Sequence, residues 1–367
     1  MRRILSAISI AFGILATGCN RSDDKPIDIG HIHPVDQNDA EYKALQLAVE
    51  ELNKNSSKLP KGRKLVLRHA PGGDTPDEWG AQATRLVALN KVHGLIGGDR
   101  WASTERIGAA AQGENIIAIS PAGWPGTPPS QNLFTVGLAP EERGRVLALV
   151  AKTAAKANSA GVLILRDPAA KAANVAADRF AADCRAFAPV SDLDVSAAKT
   201  PAAAVVFFAC SARHAAQNRD AFKDALLFFG DEDTELAVLL GEGPAAEGFH
   251  VATAHDPTNQ PERLAAFARR YQEDYRQPPT ASAVLVHDAL TVWVEAARRR
   301  AEGAHHPDKL EAAEIRAQFL KRDKPFEVLT GTLAFADDHT ARRPVFVGRI
   351  ASGKLGDIKS YEAGPIR

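Results

Sequence analysis

The stretch Gly94-Leu95-Ile96-Gly97-Gly98-Asp99-Arg100-Trp101-Ala102-Ser103-Thr104, followed after a turn of helix by Ile116-Ile117-Ala118-Ile119-Ser120-Pro121-Ala122, decides the fold. Each apolar run is short and apolar at every position, as a strand buried on both faces must be, whereas a strand with one wet face would alternate. Residues 103–112 between them read as a helix. Strand, helix, strand in so few residues is a parallel crossover unit. Working outward, residues 26–32 read as a strand and 40–53 as a helix, where Leu45, Ala48, Val49 and Leu52 recur at helical spacing. Residues 64–69 are then a strand and 76–92 a helix.

A second series begins at Gly161-Val162-Leu163-Ile164-Leu165. It continues with a helix over 171–187, a strand at 204–209, a helix over 215–226 and a strand at 237–240. Helices over 261–275, 281–300 and 309–321 come next, and the chain closes on a β-rich tail at 332–335, 345–350 and 358–361. The fold class is α/β, two lobes with parallel-sheet cores.

Composition narrows the function. The 367 residues carry 45 basic and 45 acidic side chains. A net charge of zero argues against a nucleic-acid surface, which needs an excess of Lys and Arg. No stretch after residue 18 approaches the roughly 20 apolar residues of a membrane-spanning helix. The first 18 do have a distinctive pattern: Arg2 and Arg3, an apolar run over 4–16 interrupted only by Ser6, Ser9 and Gly13, then Ala16-Thr17-Gly18-Cys19. A charged start, a short apolar segment and small residues at a cut are a secretory signal. Its end resembles a bacterial lipobox, which implies cleavage after residue 18 and acylation of Cys19. Residues 19–25 then form a lipidated polar tether, and Asn20 after the cysteine weakly favours the outer membrane. Removing 1–18 deletes two arginines and no acid, leaving 43 basic against 45 acidic side chains. Of the other cysteines, Cys184 falls late in a helix and Cys210 at the end of a strand, positions at opposite ends of an α/β layer, although an oxidising compartment would permit a bridge.

Signatures of catalysis are missing. Gly94-Leu95-Ile96-Gly97-Gly98 has the wrong glycine spacing for a dinucleotide loop and lacks the Lys-Ser/Thr of a phosphate loop, and no nucleophile elbow occurs. His31 and His33 share one strand face, with Asp36 and Asp39 near, yet no third ligand stands at metal-site spacing. They read as surface or cleft-rim histidines, and His305-His306 as an exposed loop pair. No enzyme activity, metal or cofactor is expected.

Two loops carry more information. Trp101, Ser103 and Thr104 open a helix after a strand, where free N–H groups and the helix dipole favour an anion and where hydroxyls also serve as caps. Ala122 and Gly123 allow close approach to backbone, and Trp124 offers a flat apolar face, for a ligand or for the loop itself. Strand-end loops are where ligands bind open α/β sheets.

In order and spacing these elements resemble type I periplasmic solute-binding proteins of the leucine/isoleucine/valine-binding branch. The resemblance runs through residues 44–53, Asp74-Thr75-Pro76, Ile96-Gly97-Gly98, 116–122, Gly241-Glu242-Gly243, Ala246-Glu247-Gly248-Phe249, residues 267–271 with Tyr275 and Pro278, His287-Asp288-Ala289 where that family usually has Tyr-Asp-Ala, and Gly331-Thr332-Leu333-Ala334-Phe335. It implies two Rossmann-like lobes joined by three crossovers near 135–138, 250–253 and 330–334. One lobe would comprise 26–136 plus 253–330, the other 137–252 plus 331–367. It carries the ligand-carboxylate serine onto Ser103, a backbone-contact residue onto Ala122 and the acid that pairs with a ligand ammonium onto Glu242. The sequence departs from that pattern at Trp124, at Ser211 in place of a second-lobe aromatic, and after Arg166-Asp167-Pro168, which lacks a tyrosine. The implied function is a monomeric, lipid-anchored solute-binding protein on the periplasmic face of a bacterial membrane, capturing an amino acid or related compound for an ABC permease, with no nucleic-acid partner and no membrane contact beyond the anchor. The rivals are a sensory lipoprotein without a dedicated permease and a structural envelope lipoprotein that has lost its ligand.

Overall fold

The structure is a computed structural model that describes residues 25–34, 40–98, 100–154, 161–196, 203–231, 233–302 and 310–364. The expected signal segment, Cys19 with most of its tether, and the His305-His306 pair lie outside the described residues.

Five strands build the first sheet: β1 (Ile27–His33), β2 (Leu65–Pro71), β3 (Gly94–Gly97), β4 (Ile117–Ser120) and β5 (Leu133–Thr135), all parallel in the order β2-β1-β3-β4-β5. Helices α1 (Ala40–Lys54), α2 (Pro76–Ala88) and α3 (Trp101–Gly113) are the crossovers. Thr75 caps α2, its hydroxyl accepting from Glu78 N, and Pro76 takes the first helical position, where its missing N–H costs nothing. Strand β3 is buried at all four positions, as its uniform apolarity requires.

The chain then enters a second sheet through α4 (Pro140–Ala154), a helix that the sequence reading passed over. It adds β6 (Val162–Arg166), α5 (Lys171–Cys184), β7 (Val190–Asp194), β8 (Val205–Ala209), α6 (Ala212–Asn218), β9 (Leu226–Phe229), α7 (Asp233–Gly241) and β10 (Phe249–Thr253). Residues 237–240, expected as a strand, lie within α7. The strand is Leu226-Leu227-Phe228-Phe229, which fills the sheet slot beside β8. A four-residue apolar run is ambiguous between buried strand and buried helix, and here the neighbouring run won the sheet.

The chain returns to the first lobe as α8 (Glu262–Tyr275), α9 (Ala281–Glu302) and α10 (Ala312–Phe319), followed by the antiparallel set β11 (Phe326–Val328), β12 (Gly331–Phe335) and β13 (Ala341–Arg342). The last strands, β14 (Val345–Ala351) and β15 (Lys354–Tyr361), join the second sheet antiparallel, giving the order β15-β14-β10-β9-β8-β6-β7.

Each sheet is covered on both faces. In the first lobe one face packs on α1 and α9 and the other on α2 and α3. Gly94 leaves the space into which Trp293 of α9 inserts, because a Cβ there would lie 2.2 Å from its indole nitrogen. In the second lobe the two faces hold separate cores, around Phe180 and Phe207 on one side and Phe208 and Phe249 on the other. Cys184 belongs to the first and Cys210 to the second, so the sheet separates them and no disulfide joins the two. Burial pushes the Cys184 thiol up to about 12, so it stays a protonated, inert core group.

The three crossings lie at 136–139, 254–261 and 343–344. The second follows β10, which takes up the residues 250–253 expected for it, and the third also falls later than expected. Residues 331–342 remain with the first lobe, since Leu333, Phe335 and Ala341 lie in its core and Phe335 packs edge-on to Phe134 at 5.1 Å. At this junction Arg343, almost fully buried, donates to Val136 O at 2.7 Å and to Asp288 Oδ2 at 3.1 Å. Asp288 also accepts from Leu329 N and from the Thr330 hydroxyl, at 2.8 and 2.5 Å. One guanidinium thus ties the first and third crossovers to α9. A buried charge left without its partner is costly, so the clamp holds only as a pair.

Candidate functional site

Parallel strands bring every following loop to one end of their sheet. In the first lobe the β3–α3 and β4 loops meet through a buried hydroxyl network. Thr104 Oγ1 lies 2.9 Å from Ser120 Oγ, which donates to Gly98 O at 2.8 Å and accepts from Ala122 N at 3.1 Å. Thr104 and Ser120 are fully buried. Gly98 sits at φ +94°, and a Cβ there would come 2.5 Å from Thr104 Oγ1, so this loop needs glycine for both its backbone and its space.

Ser103 is used as a cap. Its hydroxyl donates to Arg100 O at 2.8 Å and accepts from Arg100 N at 3.1 Å, and the side chain is 4% exposed. Ala122, Gly123 and Trp124 also turn inward. A Cβ on Gly123 would lie 2.0 Å from Leu138 O, and one on Gly137 would lie 2.4 Å from Pro121 O, so the β4 loop is pressed against the first crossover. Trp124, 4% exposed, packs in the core under α3, edge-on to Trp101 with centroids 5.6 Å apart. Of the aromatic pair only Trp101 is half-exposed, and its ring lies on the cleft side, 5.2 Å from Lys171 Nζ of the second lobe. That cation–π contact bridges the lobes.

Lys171 is the first residue of α5 and Trp101 the first of α3, so two helix N-termini, one from each lobe, meet at this contact. Each carries roughly half a positive charge in its free N–H groups. Arg100 and Lys171, both exposed, add to it. The facing rims are therefore cationic and favour an anionic group.

On the second-lobe side Asp167 and Ser211 follow the adjacent strands β6 and β8. Asp167 Oδ1 accepts from Ala169 N at 2.9 Å, and Oδ2 lies 3.7 Å from His214 Nδ1. Ser211 caps α6, accepting from His214 N at 3.4 Å. Asp167, Ser211 and His214 therefore form one half-exposed polar rim.

Glu242 does not join them. It follows α7 and precedes β10, at the end of the second sheet where strands begin, beside the 219–222 turn. The acid expected to meet a ligand ammonium is on the wrong side of the lobe. The Gly-Glu-Gly spelling of 241–243 matched the pattern, but α7 occupies the residues assigned to a strand, which shifts the strand-end loop back to Gly230 and Asp231. Sequence reasoning also missed Ser120, Lys171 and His214. The first two had a signal, as the last residue of a strand and the first of the next helix.

His31 is fully buried rather than at a rim. Its Nδ1 lies 3.1 Å from His69 Nδ1 and its Nε2 3.4 Å from Glu41 Oε2, beneath the start of α1. Burial, and then the neighbouring His33, pulls the His31 imidazole down to about 3, while burial pushes the Glu41 carboxyl up to about 7. Below neutrality the contact joins two uncharged groups. Among the described residues no set of three or more His, Cys, Asp or Glu side chains has a metal-holding arrangement.

A family model described as periplasmic binding protein matches residues 26–354. Among solved structures, a branched-chain amino acid transporter substrate-binding protein from Streptococcus pneumoniae, LivJ in complex with isoleucine, superposes with TM-score 0.72 at 20% identity, covering 92% of this chain and 100% of that one. A solute-binding protein of an ABC transporter from Rhodopseudomonas palustris, in complex with 3,4-dihydroxybenzoic acid, gives 0.70 at 14% identity over 92% and 98%. A benzoate complex of another R. palustris solute-binding protein gives 0.68 at 16% identity over 92% and 96%. No curated sequence matches.

Proposed function

The chain belongs to the periplasmic binding protein family, whose members bind ligands and are not enzymes, and from that premise we propose that it captures a small carboxylate, an amino acid or an aryl acid, between its two lobes for an ABC permease. The carrying observation is the Lys171–Trp101 contact, where two helix N-termini and an ammonium converge across the cleft. A carboxylate between them would accept from both lobes at once, so binding would stabilise the closed arrangement by contacts that the open one lacks. Trp101 supplies the apolar face, and Asp167 with Ser211 the polar rim that reads the ligand's other end. The buried Thr104–Ser120 network holds the first-lobe loop in place without spending its hydroxyls on ligand.

The proposal includes an acylated Cys19 that tethers the protein to the periplasmic face of a membrane, the outer membrane by Asn20, as a monomer. The liganded relatives support both candidate chemistries, since isoleucine and hydroxylated benzoate occupy the same fold.

Calorimetry of isoleucine, leucine, benzoate and 3,4-dihydroxybenzoate, with small-angle scattering of the tightest pair, tests the reading. A dissociation constant of about 1 μM or lower with a reduced radius of gyration is expected. Absence of binding by every carboxylate, in a cooperatively folded protein, would remove it.

A further inference from the structure

Away from the cleft, α1, α8 and α9 enclose a cavity of about 610 Å³ on the outer face of the first lobe, within the range of small-molecule sites. Its floor is apolar: Leu47, Leu52, Phe267, Val294 and Val328. Five cations line it, Lys58, Arg263, Arg270, Arg298 and Arg299, against three acids, Glu51, Glu295 and Glu327. Four of the cations are already paired, Arg263 with Glu327, Arg270 with Glu50 and Asp274, Arg298 with Glu295 and Glu302, and Arg299 with Glu295, which leaves Lys58 at the rim of the apolar pit without an ion pair among the described residues.

One polar group lies deep in the wall. His287 is 8% exposed. Burial pulls its imidazole down to about 4, so the ring is neutral at physiological pH. Thr291 Oγ1 donates its only proton to His287 O at 2.9 Å, so at 3.4 Å from Nδ1 it can act only as an acceptor. The neutral ring then carries its proton on Nδ1 and leaves Nε2 as a lone-pair acceptor. Nε2 has no hydrogen-bond partner among the described residues. Phe267 packs edge-on to the ring at 4.9 Å and fixes its orientation.

We propose that this outer cavity is a second ligand site, for an aryl carboxylate bearing a hydroxyl opposite its acid: the ring on the Leu47–Val294 floor, the hydroxyl donating to His287 Nε2 and the carboxylate on Lys58 at the rim. Lys58, exposed and without an ion pair among the described residues, is the cation freest to turn toward it, whereas Arg263 is held by Glu327 at 3.3 Å. The site is separate from the cleft, whose residues do not line it.

The test is calorimetry of the full chain carrying Trp101→Ala, which disables the cleft, with 4-hydroxybenzoate and benzoate as probes. 4-Hydroxybenzoate should bind about fivefold or more tighter than benzoate, the worth of one buried hydrogen bond. Adding Val294→Trp fills the cavity and should abolish binding, and adding Leu52→Trp from its half-exposed edge should do the same if the first variant fails to fold. His287→Phe should bind the two probes equally, and Lys58→Glu should weaken both. No binding at about 10 mM, well above any site of useful affinity, overturns the proposal. So does binding of 4-hydroxybenzoate that survives the tryptophan filling in a folded protein, or a hydroxyl preference that persists in His287→Phe.

Discussion

The two lobes present strand-end loops of opposite character to the same cleft. In the first lobe the hydroxyls of Thr104 and Ser120 are consumed internally, Ser103 caps its own helix, and Gly123 lies against the backbone of Leu138. In the second lobe Asp167, Ser211 and His214 form a half-exposed rim held by local bonds, and Lys171 reaches outward. One rim is a fixed platform continuous with the hinge, the other a set of side chains able to reorganise. Substitutions on the platform should therefore register as lost stability, and those on the rim as lost affinity.

The largest effect should come from the clamp below the platform. Arg343→Met leaves Asp288 buried and uncompensated, a loss of about 3–5 kcal/mol readable as a lower denaturant midpoint, and Asp288→Asn with Arg343→Met should restore part of it. If the single variant matched the parent, the hinge would not depend on this pair.

Next, Gly123→Ala drives a Cβ into Leu138 O and should cost about 1–3 kcal/mol or more by overpacking. The matching change on the other rim, Ser211→Ala, removes a half-exposed cap and should cost about 1 kcal/mol or less. Equal melting points for the two would erase the contrast between the lobes.

The Glu41–His31 pair gives the platform a pH dependence of defined sign. Glu41 has a folded pKa raised from 4.5 to about 7, so its stabilising contribution is complete below pH 4.5 and is lost as pH climbs through 7. His31 has a folded pKa lowered from 6.5 to about 3, so its contribution is complete above pH 6.5 and is lost as pH falls toward 3. Stability should peak between, near pH 5–6. Glu41→Gln should flatten the alkaline limb, gaining up to on the order of 3 kcal/mol over the parent at pH 8. Denaturant midpoints across pH 4–8 report it, and a parallel decline of both proteins above pH 6 would assign the limb to another group.

Much of this was legible in the chain. Short apolar runs separated by helical periodicity suffice for two parallel sheets, because only a strand covered on both faces tolerates Ile117-Ala118-Ile119 or Val205-Val206-Phe207-Phe208. The errors occurred where local pattern is degenerate. Residues 237–240 and Leu226–Phe229 are equally apolar, and pairing beside β8 chose between them; that choice moved the loop on which Glu242 had been placed. The third crossing slipped because Leu333 and Phe335 answer to Phe134, some two hundred residues earlier. Which way a side chain faces at the site was least readable. Trp101 and Trp124 are alike in sequence, yet one lines the cleft and one is core, a distinction made by the glycine contacts that press the second loop inward.

The central claim is that a ligand carboxylate binds where Lys171 meets the start of α3 across the cleft, with Trp101 as its apolar face. Its most direct test is a thermal-shift comparison of amino acids and aryl acids with their own carboxamides, on the parent and on the Lys171→Ala, Trp101→Ala double variant. At about 100 times its dissociation constant the best acid should stabilise the parent by roughly 2.7 kcal/mol, with its amide and the double variant showing little response. An amide as effective as its acid, or a double variant that responds as the parent does, would contradict the account.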